Sequence, residues 1–285
     1  MVELTELELY WPDLPDELAG LSLIHVSDLH IRGDGPHEKC LRQVLRSPCD
    51  MLFGTGDFCY QFRLANPVFR GLVSQEPHPV GLSRYGFTGA PHAATAFQVC
   101  NDIFAEYRPS LGMFAVKGNH DSEEFMRRLG DIGFTVLANQ AVPAQTPAGG
   151  RLNVCGIRTS SRSLADIPRA LLDLDPNLFT IALCHYPEMT EPLAAAGANL
   201  VLAGHTHGGQ ICLPGRRPLA THSNTGRKYA SGLMRTDPGY AYTSRGLGCT
   251  TLHLRLFCPP EVTRITLHRG ETSQTTLRRT KIEPE

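Results

Sequence analysis

The stretch Leu200-Val-Leu-Ala-Gly-His-Thr-His-Gly-Gly-Gln210 decides how the whole chain is read. Four apolar residues, the mark of a buried strand, stop at Gly204. Two histidines follow, one residue apart. Side chains at i and i+2 of an extended chain point the same way. His205 and His207 can therefore present both imidazoles to one side, just past a strand end. Imidazole suits zinc, iron and other transition ions. A lone His-x-His arises by chance, so the test is whether other strand ends supply matching ligands.

Four of them do. Leu21-Ser-Leu-Ile-His-Val-Ser27 reads as a strand and delivers Asp28-Leu-His30, a second i, i+2 pair. Met51-Leu-Phe53 runs into Gly54-Thr-Gly-Asp57. Met113-Phe-Ala-Val116 runs into Gly118-Asn-His-Asp121, and Phe179-Thr-Ile-Ala-Leu-Cys184 into His185. Glycine recurs where backbone must pass close to an ion. In open α/β sheets, sites form beyond the carboxyl ends of strands. Five such ends can converge on one cleft.

The order Asp-x-His, Gly-Asp, Gly-Asn-His-Asp, His and Gly-His-Thr-His resembles the calcineurin-like metallophosphoesterase superfamily. Gly204-His-Thr-His-Gly-Gly-Gln-Ile-Cys-Leu-Pro214, Tyr242-Thr-Ser-Arg-Gly-Leu-Gly248 and Pro259-Pro-Glu-Val-Thr-Arg-Ile-Thr-Leu267 look like one bacterial branch of it. That branch contains UDP-2,3-diacylglucosamine pyrophosphatases and related phosphoesterases of the cell envelope. The resemblance implies an α/β fold, a four-layer αββα sandwich of two mixed β-sheets flanked by helices. It implies one metal held by Asp28, His30, Asp57 and His207, and another held by Asp57, Asn119, His185 and His205. Asp57 is the bridging carboxylate. Two divalent ions are expected, manganese first, with iron or zinc as alternatives. That mixture of imidazole and oxygen suits them better than calcium. His120 is implied not as a ligand but as the catalytic group that protonates the leaving oxygen.

The implied activity is hydrolysis of a phosphodiester or pyrophosphate by a metal-bound hydroxide, on a UDP-diacylglucosamine-like lipid precursor within that branch. The runner-up is a nucleotide, cyclic-nucleotide or general phosphodiesterase. A third reading, from a different class, is a binding scaffold that has lost catalysis, as the retromer subunit of this superfamily has. That reading predicts missing ligands, and none is missing. A metallo-β-lactamase-type zinc hydrolase would want His-x-His-x-Asp-His, which this chain lacks.

Composition agrees with an ordinary globular enzyme. The chain has 285 residues, 41% of them hydrophobic, and a formal net charge of −1. This argues against a nucleic-acid protein that relies on bulk charge. The partner expected is an anionic phosphoester, with a peripheral membrane contact left open. No apolar run approaches the roughly 18–20 residues of a membrane span, and Met1-Val-Glu-Leu-Thr-Glu6 is no signal peptide. The default expectation is a cytoplasmic protein, peripheral at the membrane if the open contact exists. The nine cysteines form no Cys-x-x-Cys and read as small buried hydrophobes, Cys184 among them.

Further expectations follow along the chain. Residues 3–10 alternate polar and apolar, as a half-buried strand does. His25 reads as a core histidine. Residues 37–46 and 97–107 read as helices, as do 163–172 and the stretch opened by Pro187. Asp121, with Glu124 three residues on, has the spacing of a capping box. Residues 143–150 read as a turn-rich connector. Residues 240–244, 252–257 and 262–267 read as closing strands, within one domain spanning 1–270. Residues 60–96 carry four prolines and little periodicity, and read as an insertion able to cap the cleft. Residues 271–285 read as a polar, frayed tail. Arg245 is a candidate phosphate clamp, because a guanidinium grips two oxygens at once. Arg216, Arg217, Arg227 and Lys228 form a basic group open to anionic substrate or phospholipid.

Overall fold

Period-two burial builds the fold. The computed structural model describes residues 1–60, 90–158, 165–172, 174–221, 223–250 and 253–285. In β1 (Val2–Trp11), Leu7, Leu9 and Trp11 face an inner core while Leu4 packs on the opposite face. β2 (Ser22–Val26), β3 (Met51–Gly54) and β4 (Met113–Val116) repeat the alternation. Leu23, Met51, Phe53, Phe114 and Val116 point inward, and Ile24, Val26, Leu52, Met113 and Ala115 outward. Both faces of these strands are covered, which is why they read as continuous apolar runs.

With β5 (Phe134–Leu137), β14 (Glu261–Arg269) and β15 (Thr276–Ile282) these strands form a seven-stranded sheet, in the order β15-β1-β14-β2-β3-β4-β5. β2 to β5 run parallel. The second sheet has six strands: β6 (Gln140–Gln145), β7 (Arg151–Gly156), β8 (Phe179–Leu183), β9 (Leu200–Ala203), β12 (Gly232–Arg235) and β13 (Tyr240–Thr243). Their order is β12-β13-β9-β8-β7-β6, with β7, β8, β9 and β13 parallel. A two-stranded hairpin, β10 (Cys212–Leu213) and β11 (Arg217–Pro218), stands apart from both.

The inner core lies between the two sheets. Leu152, Val154, Ile181, Leu183, Leu200, Leu202, Tyr240 and Tyr242 meet the inward residues of the first sheet there. Each such side chain contributes roughly 1.5–3 kcal/mol when buried. Helices α1 (Pro36–Leu45), α2 (Ala90–Phe104) and α3 (Glu123–Asp131) cover the outer face of the first sheet through Leu41, Val44, Cys100, Phe104, Phe125 and Leu129. Helices α4 (Ile167–Leu171) and α5 (Thr190–Ala195) cover the second through Ala170 and Leu193. The layers are helix, sheet, sheet, helix. Among the described residues no helix is long and apolar enough to cross a membrane.

Several expectations need correction. Ser122, not Asp121, caps α3, since its side chain accepts the Phe125 N–H. β6 runs through the expected connector to Gln145, and its Pro143 is tolerated because β6 is an edge strand. Helix α2 starts at Ala90, inside the stretch read as an insertion, while residues 61–89 of that stretch lie outside the described residues. Residues 253–257 form no strand; only Leu256 bridges, to Ile211. The tail is not frayed over its whole length. β15 pairs antiparallel with β1, from Ile282 opposite Val2 to Thr276 opposite Glu8. His25 is the expected core histidine, fully buried with Nε2 2.8 Å from Thr55 Oγ1. All nine cysteines are free, and eight are buried.

Candidate metal centre

β2, β3, β4, β8 and β9 all end at the same edge of the sandwich, and the loops that follow them hold the candidate ligands. The chain turns sharply there. Asp28, His30, Asp57, His205 and His207 all have left-handed backbone, with φ of 48°, 42°, 55°, 72° and 52°. Each such residue costs about 1–3 kcal/mol, and the cost persists only where surrounding structure imposes it. The β2 loop is pinned to the β3 loop by Asp28 N–H to Gly56 O (2.9 Å) and His30 N–H to Asp57 O (3.0 Å). Asp121 fixes the β3 and β4 loops together. Its carboxylate accepts the N–H groups of Asp57 (2.7 Å), Cys59 (3.1 Å) and Gly118 (3.0 Å). Glycine is required at two of these approaches. A Cβ on Gly118 would lie 2.1 Å from Asp57 Oδ1, and one on Gly204 1.9 Å from Ser27 Oγ.

These loops bring together eight of the nine candidate residues. Asp57 Oδ1 accepts the His120 N–H (2.7 Å), which leaves Oδ2 to face imidazoles from both sheets. That oxygen is 3.6 Å from His30 Nε2 and 3.4 Å from His185 Nε2. On one side, His207 Nε2 lies 3.1 Å from His30 Nε2 and 3.3 Å from Asp28 Oδ1. On the other, Asn119 Oδ1 lies 2.9 Å from His185 Nε2 and 3.0 Å from His205 Nδ1. His120 stands beside the cluster, its ring centroid 5.0 Å from that of His30.

The donor chemistry fits two divalent ions. His30 and His207 are buried and turn the same nitrogen on each other. Burial drives the His30 imidazole down to about 3. Burial, then His30 and Arg255, drive His207 well below its usual value. Both shifts favour the neutral ring, the form a ligand needs. Burial raises Asp28 to about 6, with His185 opposing and Asp57 adding to the rise. Burial also pushes Asp57 up, but His185, His30 and His120 outweigh it and hold the carboxyl well below its ordinary value. Burial lowers His185, yet Asp57 and then Asp28 raise it to about 9. The rise favours an imidazolium that balances the two carboxylates, a balance that a dication would also supply. His185 Nδ1 lies 2.7 Å from Thr55 O, to which it donates, and so its Nε2 is turned toward Asp57 and Asn119. Ligating atoms of Asp28, His30 and His207 lie within 4.8 Å of one another, as do those of Asp28, Asp57 and His185.

Arg245 is not brought to this cluster. It is buried, and its Nε and Nη2 meet Glu261 Oε2 (2.8 Å) and Glu3 Oε2 (3.0 Å), while Nη1 is buried with no hydrogen-bond partner. Two other arginines, which the sequence did not single out, lie beside the ligands, Arg255 against His207 and Arg32 in a cavity wall with His30. Arg255 Nη2 sits 3.3 Å from His207 Nδ1 and donates to Arg245 O (2.8 Å), so it props the ring from behind. Arg32 stacks on the Tyr60 ring at 3.3 Å and has a buried Nη2 without a hydrogen-bond partner.

Two cavities flank the centre. One, of about 570 Å³, is lined by Asp57, Asn119, His120 and His205 together with Ile211 and Leu219. The other, of about 490 Å³, includes His30, Arg32, His37 and His253. Both have the size of small-molecule sites.

No family model matches the chain. Curated relatives do. The chain is 33% identical to the metallophosphoesterase YkuE of Bacillus subtilis, over 94% of this chain and 86% of the relative. It is 32% identical to the phosphodiesterase YaeI of Escherichia coli, over 60% of this chain and 64% of the relative. It is 26% identical to the UDP-2,3-diacylglucosamine pyrophosphatase LpxG of Chlamydia muridarum, over 92% of this chain and 88% of the relative.

Proposed function

The chain belongs to the calcineurin-like metallophosphoesterase superfamily, and from that premise we propose that it hydrolyses a phosphodiester or pyrophosphate in an envelope-lipid precursor. Asp28, His30, Asp57 and His207 would hold one ion, and Asp57, Asn119, His185 and His205 would hold the other. The observation that carries this reading is the position of Asp57 Oδ2, within 3.6 Å of His30 Nε2 and 3.4 Å of His185 Nε2. One oxygen thereby faces both ligand sets, as a bridging carboxylate must.

Phosphoesters resist hydrolysis because their negative charge repels nucleophiles. The ions, when bound, supply positive charge that offsets this and lowers the pKa of water. Manganese is the first choice among them. The protein's own groups do the rest. Asp57 is held in register by the His120 N–H, and His207 by Arg255. His120 protonates the leaving oxygen, a role worth about 10²–10⁴-fold. Arg32, in the wall of the second cavity with His30, is the candidate to meet a second anionic group of the substrate, such as the distal phosphate of a pyrophosphate.

Two observations support a lipid precursor. The larger cavity has an apolar wall, Ile211, Leu219 and Ala220. The resemblance to LpxG spans nearly the whole chain. A general phosphodiesterase is the second reading, favoured by the likeness to YaeI.

Manganese-dependent hydrolysis of UDP-2,3-diacylglucosamine and of bis(p-nitrophenyl) phosphate separates the two readings. The expected kcat/KM favours the diacylated substrate by about 100-fold or more, since remote contacts contribute to the transition state. Equal rates, or preference for the small diester, would replace the lipid reading with the general one. Cleavage of neither, with metal bound, would restore the scaffold reading.

A further inference from the structure

Among the described residues, seven large apolar side chains stand exposed, and five of them come from two neighbouring segments: Leu213 and Leu219 of the hairpin, and Leu254, Leu256 and Phe257. Leu213, Leu219 and Leu256 belong to a miniature sheet. Leu219 N–H donates to Ile211 O (3.3 Å), next to the Cys212–Pro218 and Leu213–Arg217 pairs of the hairpin. From the other side Leu256 bridges Ile211, with Leu256 N–H to Gln210 O (3.0 Å) and Cys212 N–H to Leu256 O (2.9 Å). Residues paired across strands share a face, and so do residues i and i+2. Leu219, Ile211 and Leu256 therefore form one row, and Leu213 extends it. Cys212, between them, is turned inward and buried. Phe257 follows with a left-handed backbone (φ 51°) and a side chain 52% exposed.

This face is continuous with the site. Ile211 and Leu219 line the larger cavity, and Leu219 is also 60% exposed. Single exposed leucines are ordinary, but a cluster beside a cleft marks an interaction surface. The charge pattern says of what kind. Of the seven basic residues between Glu191 and Glu261, Arg217, Arg227, Lys228 and Arg235 are exposed, against a single acid, Asp237, although acids outnumber bases 28 to 27 overall. Arg217, opposite Leu213 in the hairpin, is exposed. Apolar side chains at the acyl boundary with basic ones at headgroup level are what an anionic membrane surface recognises.

We propose that this face docks on an anionic lipid bilayer, with Leu213, Leu254, Leu256 and Phe257 entering the headgroup region and Arg217 contacting lipid phosphate. The cleft then opens at the membrane plane. The contact does not depend on which phosphoester is cleaved.

The test is sedimentation of the full chain with sucrose-loaded vesicles of phosphatidylcholine, with and without phosphatidylglycerol. The protein should pellet with the anionic vesicles and be released by salt. Leu213→Asp/Phe257→Asp should weaken vesicle binding by about tenfold or more, and Arg217→Gln by about fivefold. None of these residues ligates or lines the cleft. All variants should therefore keep hydrolysis of soluble bis(p-nitrophenyl) phosphate, which also reports folding and separates this proposal from the phosphoesterase reading. Absence of vesicle binding, or binding that survives the double substitution, overturns the proposal. A dimer seen by light scattering and lost in the double variant, without vesicle binding, would assign the face to a second copy and overturn it too.

Discussion

Two buried clusters of charge lie close in this fold and answer burial in opposite ways. In the first, Arg245 meets Glu261 and Glu3, and Glu3 Oε1 also accepts from Arg216 (2.9 Å). Thr5 Oγ1 and the Tyr242 hydroxyl donate to Glu261 at 3.0 and 3.1 Å. Cations and carboxylates are matched within the protein. In the second, Asp28 and Asp57 meet His30 and His207, which burial holds toward the neutral form, the Asn119 carbonyl oxygen, and His185, which the carboxylates push toward the imidazolium. Lone pairs converge there without enough protons to share. A self-matched cluster joins β1, β13 and β14, whereas an unmatched one recruits cations. The same contrast shows in the backbone. The second cluster sits on five left-handed non-glycine residues, whereas in the first only Arg216, at the hairpin turn, is left-handed (φ 59°) and Glu3, Arg245 and Glu261 are not.

Substitutions break the comparison in distinct ways. The largest effect is expected at the unmatched cluster. His120→Ala should lower kcat by about 10²–10⁴-fold while melting temperature and metal content hold, because the ring is argued to move a proton and not to ligate. Loss of metal in this variant would make His120 a ligand. At the matched cluster the effect should fall on stability. Glu261→Gln leaves Arg245 buried with its main partner gone, at a cost of about 3–5 kcal/mol by urea unfolding at neutral pH. Its pH dependence has a fixed sign. Burial pushes the Glu261 carboxyl up, but the Arg245 charge and hydrogen bonds outweigh it and hold the group below its ordinary 4.5. A depressed carboxyl gives stability that is complete above its unfolded value and lost as pH falls through the folded one. The gap between wild type and Glu261→Gln should therefore be widest near neutrality and close only below pH 4.5. A gap that widened in acid would contradict the pairing.

The metal centre was far more legible in the sequence than its support. Asp28, Asp57, Asn119, His185 and His205 each follow a short apolar run, and strand ends are where open sheets place ligands. The runs stood out because both faces of β2, β3, β4, β8 and β9 are covered. Arg255 was not legible, since it reaches His207 across 48 positions with no local pattern to link them. Arg245 failed as a clamp for a related reason: its partners Glu3 and Glu261 come from strands at the two ends of the chain. Asp121 and Ser122 are adjacent and both suit a cap, so only the loop contacts of Asp121 separate them. β15 hid because it is an edge strand with mostly exposed residues, and charges such as Arg278, Arg279 and Lys281 are what protects an edge.

Seven residues would hold two ions, with Asp57 shared between the two sets. Metal per chain, measured by plasma emission after manganese loading and desalting, tests it directly in the wild type and in Asp57→Asn. Two ions in the wild type, with at least one lost along with hydrolysis in the variant, is the predicted result. One ion or none in the wild type, or two ions and full activity in Asp57→Asn, would contradict it.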